Sequence, residues 1–453
     1  MNVKTLITAC YSGISLFMAS QTGFAQVPVT NLRADLAAQL PKNYNLMDCG
    51  FKSSKSDSIW WACEAYQLSE NRSLPSESLA WLLPIENDGV FGKGFMVHTG
   101  AGTPGYEVLL EAWAQTSVLV TNQESQIVAL ALPASSDQNP SSLKQLWQYV
   151  PPKSLNPQEN LVLVNATSDP DGGYVLLLQD YIADAAEKKQ DRLTTVRLTG
   201  EGKEVWQYSY ATEALTGYPA DDEIPDPKKR LFLTDDQKTV IYGETYQLSD
   251  VSGTFLICLD AKGQEISHQF YKDYYWDSHI NNINQGFGFI NYPDEDDHTT
   301  GLSISPFNKD CQKMPDQALN LPTHGLKGEI YNQIKTTSLT AKGDLVIVYT
   351  QQAASAEGEE VDLPPPSMYV GKINSKGEVI QEIPLITGED ENRHYLEVFM
   401  DEGGYDYLKT TLVILPQSNE VLISIHNMGT DPEDYPDLKP DFWLPRIYKV
   451  KLP

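Results

Sequence analysis

The sequence predicts an all-β fold: a β-propeller of about seven four-stranded blades. Three observations predict it. One double-hairpin unit recurs along the chain, turn residues punctuate it at regular intervals, and no long amphipathic helical pattern interrupts it. At 453 residues the chain also exceeds the roughly 250–300 residues at which a single core stops growing.

The unit is plainest in three places. The first runs Leu161–Val164, Asp169-Pro-Asp-Gly-Gly173 and Tyr174–Leu178, then Leu193–Leu198, Thr199-Gly-Glu-Gly-Lys203 and Val205–Tyr210. The second runs Leu231–Leu233, Asp235–Lys238 and Thr239–Tyr242, then Thr254–Leu259, Asp260–Gln264 and Ile266–Tyr271. The third runs Thr337–Leu339, Ala341–Asp344 and Leu345–Tyr349, then Met368–Ile373, Asn374–Glu378 and Val379–Ile383. Val, Ile, Thr and Tyr suit a pleated, half-buried surface. Most of these turns carry a Gly, which reaches positive φ without steric cost. Weaker copies fit residues 44–97, 106–150 and 279–319.

The last copy holds Thr411–Leu415, Glu420–Ile425 and Trp443–Leu452, one strand short of four. Val27–Leu32 is expected to supply the missing strand. Joining the two ends in one blade closes the ring and removes edges that would otherwise pair with other chains. Two β-sandwich domains would explain the turns but not the repeated order of four strands.

Lys144-Gln-Leu-Trp147-Gln-Tyr and Lys203-Glu-Val-Trp206-Gln-Tyr resemble the tryptophan-docking repeats of quinoprotein-like propellers. The resemblance covers two of about seven units. It implies that Trp147 and Trp206 pack between neighbouring blades. Pyrroloquinoline-quinone dehydrogenases of that group carry a vicinal Cys-Cys pair at the cofactor, which this sequence lacks. The similarity therefore implies the scaffold and not the redox chemistry.

Residues 1–25 read as a cleavable secretory signal, leaving 26–453 as one propeller domain. Lys4 precedes an apolar stretch from Thr5 to Ser20, and Gly23-Phe24-Ala25 places small residues three and one before a cut at Gln26. The stretch is short of the roughly 20 residues a bilayer needs. Export to a periplasmic or extracellular location is expected, with no transmembrane segment. Removing Lys4 takes the net charge from −28 to −29. Such a chain repels nucleic acid and anionic lipid and favours basic partners. Four cysteines remain: Cys49, Cys63, Cys258 and Cys311. An even count in an oxidising compartment suggests two disulfides, and sequence proximity favours Cys49–Cys63 and Cys258–Cys311.

With strands lettered A to D from the axis outward, the A–B and C–D turns are short. The B–C connections at Tyr181–Arg192, Tyr292–Thr300, Gln351–Ser367 and Met428–Phe442 are long, as are the blade-to-blade connections Ala211–Arg230 and Thr387–Leu408. Both kinds leave a propeller on one face, and clustered insertions mark the binding face of a repeat protein. They are acidic: Asp221-Asp222-Glu223, Asp294-Glu295-Asp296-Asp297, Glu359-Glu360 within Glu357–Asp362, Glu389–Glu391, and Asp431, Glu433 and Asp434. These residues form the candidate binding surface. Solvated loops that keep an exported protein soluble would look the same.

Asp169-Pro-Asp171-Gly-Gly resembles the start of a calcium loop but lacks the distal Glu, and a β-turn explains it equally well. No cofactor and no metal ligand set is predicted; calcium has only this weak support. No G-x-S-x-G, H-E-x-x-H or Walker loop is present. The seven His are scattered singly, each expected as a packed or surface residue rather than a ligand. The expected function is a binding or scaffolding module acting on an unknown protein or small ligand. Its rivals are a hydrolase or lyase acting on glycans or peptides at the central channel, and a cell-surface structural protein. No catalytic residue is singled out, because the acids are too many to single out two.

Overall fold

Alternating apolar runs fold into antiparallel hairpins, and the hairpins pair off into sheets of four. In the computed structural model the strands form seven four-stranded antiparallel sheets. It describes the blades and most of their turns. Residues 1–28, 68–77, 101–108, 133–142, 152–161, 212–228, 246–252, 293–301, 354–365, 388–394, 397–407 and 428–443, with some shorter stretches, lie outside the described residues. The proposed secretory signal falls among them.

The chain enters through β1 (Val29–Asn31) and a short helix α1 (Arg33–Gln39). Blade 1 holds β2 (Tyr44–Ser53), β3 (Ile59–Gln67), β4 (Ser78–Ile85) and β5 (Phe95–Gly100). Blade 2 holds β6 (Leu109–Trp113), β7 (Thr116–Gln123), β8 (Gln126–Ala131) and β9 (Lys144–Tyr149). Blade 3 holds β10 (Val162–Ser168), β11 (Tyr174–Ala183), β12 (Lys189–Leu198) and β13 (Glu204–Ala211). Blade 4 holds β14 (Lys229–Leu233), β15 (Thr239–Thr245), β16 (Gly253–Leu259) and β17 (Glu265–Lys272). Blade 5 holds β18 (Tyr275–Ile283), β19 (Gly286–Tyr292), β20 (Ser303–Phe307) and β21 (Gln317–Ala318). Blade 6 holds β22 (Ile330–Leu339), β23 (Leu345–Ala353), β24 (Ser367–Ile373) and β25 (Val379–Ile386).

Blade 7 takes β26 (Leu408–Ile414), β27 (Glu420–Asn427) and β28 (Arg446–Lys451), and its fourth strand is β1. Val29 pairs with Val450 and Asn31 with Tyr448. The expected closure is therefore present, and it covers the edge that β28 would otherwise expose. Helix α1 was not expected from the sequence; its Leu36 is buried against blades 1 and 7.

The innermost strands stand side by side. β2 packs beside β26 and β6, β10 beside β6 and β14, and β22 beside β18 and β26. The core is a set of apolar layers between adjacent blades. One layer joins Phe232, Tyr242 and Leu256 of blade 4 to Trp276, Phe287, Phe289 and Phe307 of blade 5, with Trp276 stacked on Phe289 at 4.5 Å and Phe287 on Phe307 at 5.1 Å.

Two successive seams, between blades 2 and 3 and between blades 3 and 4, share a fastening. Trp147 lies against Gly202 and Trp206 against Gly263, each glycine in the C–D turn of the next blade with φ of +77°. A Cβ at Gly202 would stand 2.6 Å from Trp147 Cβ, and one at Gly263 2.5 Å from the Trp206 indole, so Gly is required for room as well as for backbone. Trp206 Nε1 and Arg197 Nη1 both donate to the carbonyl of Ala261 in that turn, at 3.2 and 2.6 Å. Two residues after each Trp, a tyrosine hydroxyl reaches the first residue of the next outer strand: Tyr149 donates to Glu204 at 2.8 Å, and Tyr208 donates to Glu265. The packing that the resemblance implies for both tryptophans is present.

The next seam departs from this pattern. Ser267 stands where the Trp would be, and Cys311 takes the glycine's place in the turn Asn308–Gln312, with φ of +60°. Cys258, paired across the sheet with Ser267, is bonded to Cys311. A disulfide thus replaces the indole dock between blades 4 and 5. Between blades 5 and 6 Gln317 Nε2 donates to the carbonyl of Ser375 at 3.0 Å, the turn position equivalent to Ala261. The other disulfide, Cys49–Cys63, lies inside blade 1. Both expected pairings are present.

Candidate functional site

Antiparallel order fixes which strand ends share a face. The A–B and C–D turns leave one end of each blade, and the B–C and blade-to-blade connections leave the other. At the turn end the segments Asp169–Gly173, Thr199–Lys203, Asp260–Gln264, Asn308–Gln312, Thr340–Asp344 and Asn374–Glu378 all close with the same pair of backbone hydrogen bonds. That end is short, regular and fastened from blade to blade. The opposite end bears the long connections.

One expected connection is not a loop. Residues 181–192 continue the hairpin: Tyr181 pairs with Asp191, Ile182 with Gln190 and Ala183 with Lys189. Backbone pairing keeps the ladder going, so only residues 184–188 separate β11 from β12. The other long connections sit between the strands expected. Asp221, Asp222, Glu223, Asp294, Glu295, Asp296, Asp297, Glu359, Glu360, Asp431, Glu433 and Asp434 lie outside the described residues.

The Asp169–Gly173 turn already holds a cation. Asp169, 2% exposed, caps the turn by accepting from Asp171 N at 3.0 Å. Its carboxylate pairs with Arg197, whose Nη2 is also 3.5 Å from Asp171. Among the described residues no group of three metal-ligating side chains converges.

At the long-connection end, four residues meet on the face of blade 6 that looks toward blade 5. Tyr349 on β23 and Tyr369 on β24 are cross-strand partners with rings stacked at 5.5 Å. Glu382 on β25 is paired with Gly371, and the missing side chain there leaves the space across which the Tyr349 hydroxyl donates to Glu382. Burial, then this carboxylate, pushes the Tyr349 pKa far up, so the hydroxyl stays a donor.

His324 completes the group from the strap joining blades 5 and 6. Its backbone is left-handed, with φ of +50°. The imidazole lies flat on Tyr369, centroids 4.0 Å apart and planes 6° from parallel. Nε2 is 2.9 Å from Glu382 Oε2. Gln351 pins the strap, donating from Nε2 to Pro322 O and to Asn332 Oδ1, both at 2.8 Å. Buried Gln351 Oε1 has no hydrogen-bond partner. The arrangement is a half-buried cage of two aromatic rings and one carboxylate, filled by a residue of the same chain.

The sequence did not single out these residues. His324 was one of seven scattered histidines, and its partners lie far along the chain on three different strands. Among the other histidines, His426 is buried and His268 half-buried.

No protein-family description matches the chain, and no curated protein matches it. Solved structures do. The chain is similar to a protein of unknown function from Dyadobacter fermentans, at 9% identity over 91% of this chain and 96% of that one, with a TM-score of 0.43. It is similar to a neuraminidase-like protein of A/flat-faced bat/Peru (H18N11), at 11% identity over 92% and 91%, TM-score 0.37. It is also similar to a periplasmic gluconolactonase of Pseudomonas aeruginosa, at 10% identity over 77% and 98%, TM-score 0.36.

Proposed function

We propose that this chain is an exported β-propeller that binds a basic protein or small cationic ligand through the acidic connections at one end of the ring. The asymmetry of the two ends carries this reading. Five of the connections at the long end, residues 212–228, 293–302, 354–366, 387–407 and 428–445, hold 25 Asp and Glu against three Lys and Arg. They therefore account for most of the net charge of −28. Charge concentrated on one end steers an oppositely charged partner there. Two disulfides support export, since such bonds persist in oxidising compartments.

Immobilised protein tests this with fractions of its native envelope at low and raised salt. A partner released as salt rises, and released also by a variant with Asp294, Glu295, Asp296, Asp297, Asp431, Glu433 and Asp434 changed to amides, supports the reading. Equal retention by both proteins at both salts overturns it.

A further inference from the structure

We infer that the Tyr349–Tyr369–Glu382 cage is a binding site for an arginine side chain, and that His324 is its resident plug. The inference rests on the reading of a basic partner and names one contact that partner makes.

The cage has the parts that a guanidinium needs. The Tyr369 ring, paired with buried Tyr349, offers the aromatic face on which His324 lies, and a planar cation gains by lying on such a face. The Glu382 carboxylate stands at the edge of that face, where a fork of N–H donors meets both oxygens. Gly371 removes the side chain that would fill the space between ring and carboxylate. His324 already displays the pose: a flat ring parallel to Tyr369, with one ring nitrogen at the carboxylate. An arginine would place its flat group in the same plane and bring two N–H donors to the carboxylate where His324 brings one, beside the Tyr349 hydroxyl that already donates to it.

The plug can leave without unfolding anything. The His324 side chain is 23% exposed and its neighbours Pro322 and Thr323 are exposed, so rotation about the His324 side chain carries the imidazole into solvent. Gln351 holds the strap through Pro322, not through His324. The strap therefore stays in place while the cage opens. Strand ends bounding two acidic connections, Tyr292 with Ser303 and Ala353 with Ser367, flank this seam at the same end of blades 5 and 6. A partner steered by the acidic end thus arrives beside the cage.

The test uses the purified full chain and N-acetyl-arginine amide, with its uncharged isostere N-acetyl-citrulline amide as control. His324→Ala should bind the arginine probe roughly tenfold more tightly than the unaltered protein, because the site no longer shares its open state with a plug. His324→Ala/Glu382→Gln should lose that gain, and the citrulline probe should show none. In the unaltered protein, saturating arginine probe should move the His324 ring protons away from their Tyr369-shifted resonances. This last measurement needs no variant to fold. No gain in His324→Ala, an equal gain for citrulline, or unmoved His324 resonances at saturation would overturn the assignment. None of these readouts depends on the acidic connections, so the cage and the acidic end fail separately.

Discussion

The seam between blades 4 and 5 offers a direct exchange of one fastening for another. Cys258–Cys311 closes a separation of 53 residues, which the loop-entropy relation values at about 4 kcal/mol. Cys258→Ala/Cys311→Gly removes the bond and leaves at the turn the residue type found in the two preceding seams. Unfolding a chain of this size carries an entropy of about 0.9 kcal/mol/K, so the loss corresponds to a Tm lower by about 4 °C. Adding Ser267→Trp places an indole opposite the glycine that the variant now carries in the Asn308–Gln312 turn, as Trp206 lies opposite Gly263. A half-buried indole covers on the order of 100 Å² of apolar surface, worth about 2 kcal/mol. The triple variant should therefore recover about half of the lost Tm. Scanning calorimetry with and without reductant measures both effects. Reductant should lower the Tm of the unaltered protein by more than that of the triple variant, which keeps only Cys49–Cys63. If Ser267→Trp gives no recovery, the two fastenings are not equivalent and the shared seam geometry explains nothing.

Gly263→Ala should destabilise by about 1–3 kcal/mol in urea unfolding, since a Cβ meets the Trp206 indole at 2.5 Å on a backbone with φ of +77°. Gly343 has φ of +81° but nothing within 4 Å, so Gly343→Ala should cost only the backbone part, about 1 kcal/mol. Burial and then the bond to Glu265 push the Tyr208 pKa up to about 12. The proton is thus held more tightly in the folded state. Its contribution to stability is whole below the ordinary pKa of 10.0 and is lost as pH rises through about 12. Ultraviolet titration should show a tyrosine midpoint near that value, and Glu265→Gln should move it down. Deleting residues 26–32 removes β1 and uncovers the outer edge of β28; light scattering should show more concentration-dependent association than for the intact chain.

The repeat and its punctuation were legible from sequence because they are local. Strand alternation and turn glycines act within a few residues, so unit order could be read along the chain; ring closure followed from the missing strand of the last copy, and the disulfide pairings from an even cysteine count and sequence proximity. The Trp motifs at 147 and 206 were legible for the same reason. What they dock against was not: Gly202 and Gly263 lie in the next blade and look like any turn glycine. The replacement of a dock by Cys258–Cys311 becomes visible only when Ser267 and Cys311 are seen in equivalent places. Residues 181–192 were misjudged as a loop because their polar composition, Asp180 to Arg192, resembles one. Cross-strand pairing with continuous partners kept them extended.

Sequence alone determined that strands come in fours and that the negative charge gathers in certain connections, because each follows from neighbours along the chain, and the one-strand deficit of the last copy pointed to the ends meeting. Only the tertiary structure decided that Tyr349, Tyr369, Glu382 and His324 share one cage. Three come from neighbouring strands of blade 6 and the fourth from the strap that leads into it, so strand pairing and the docking of that strap bring them within hydrogen-bonding reach.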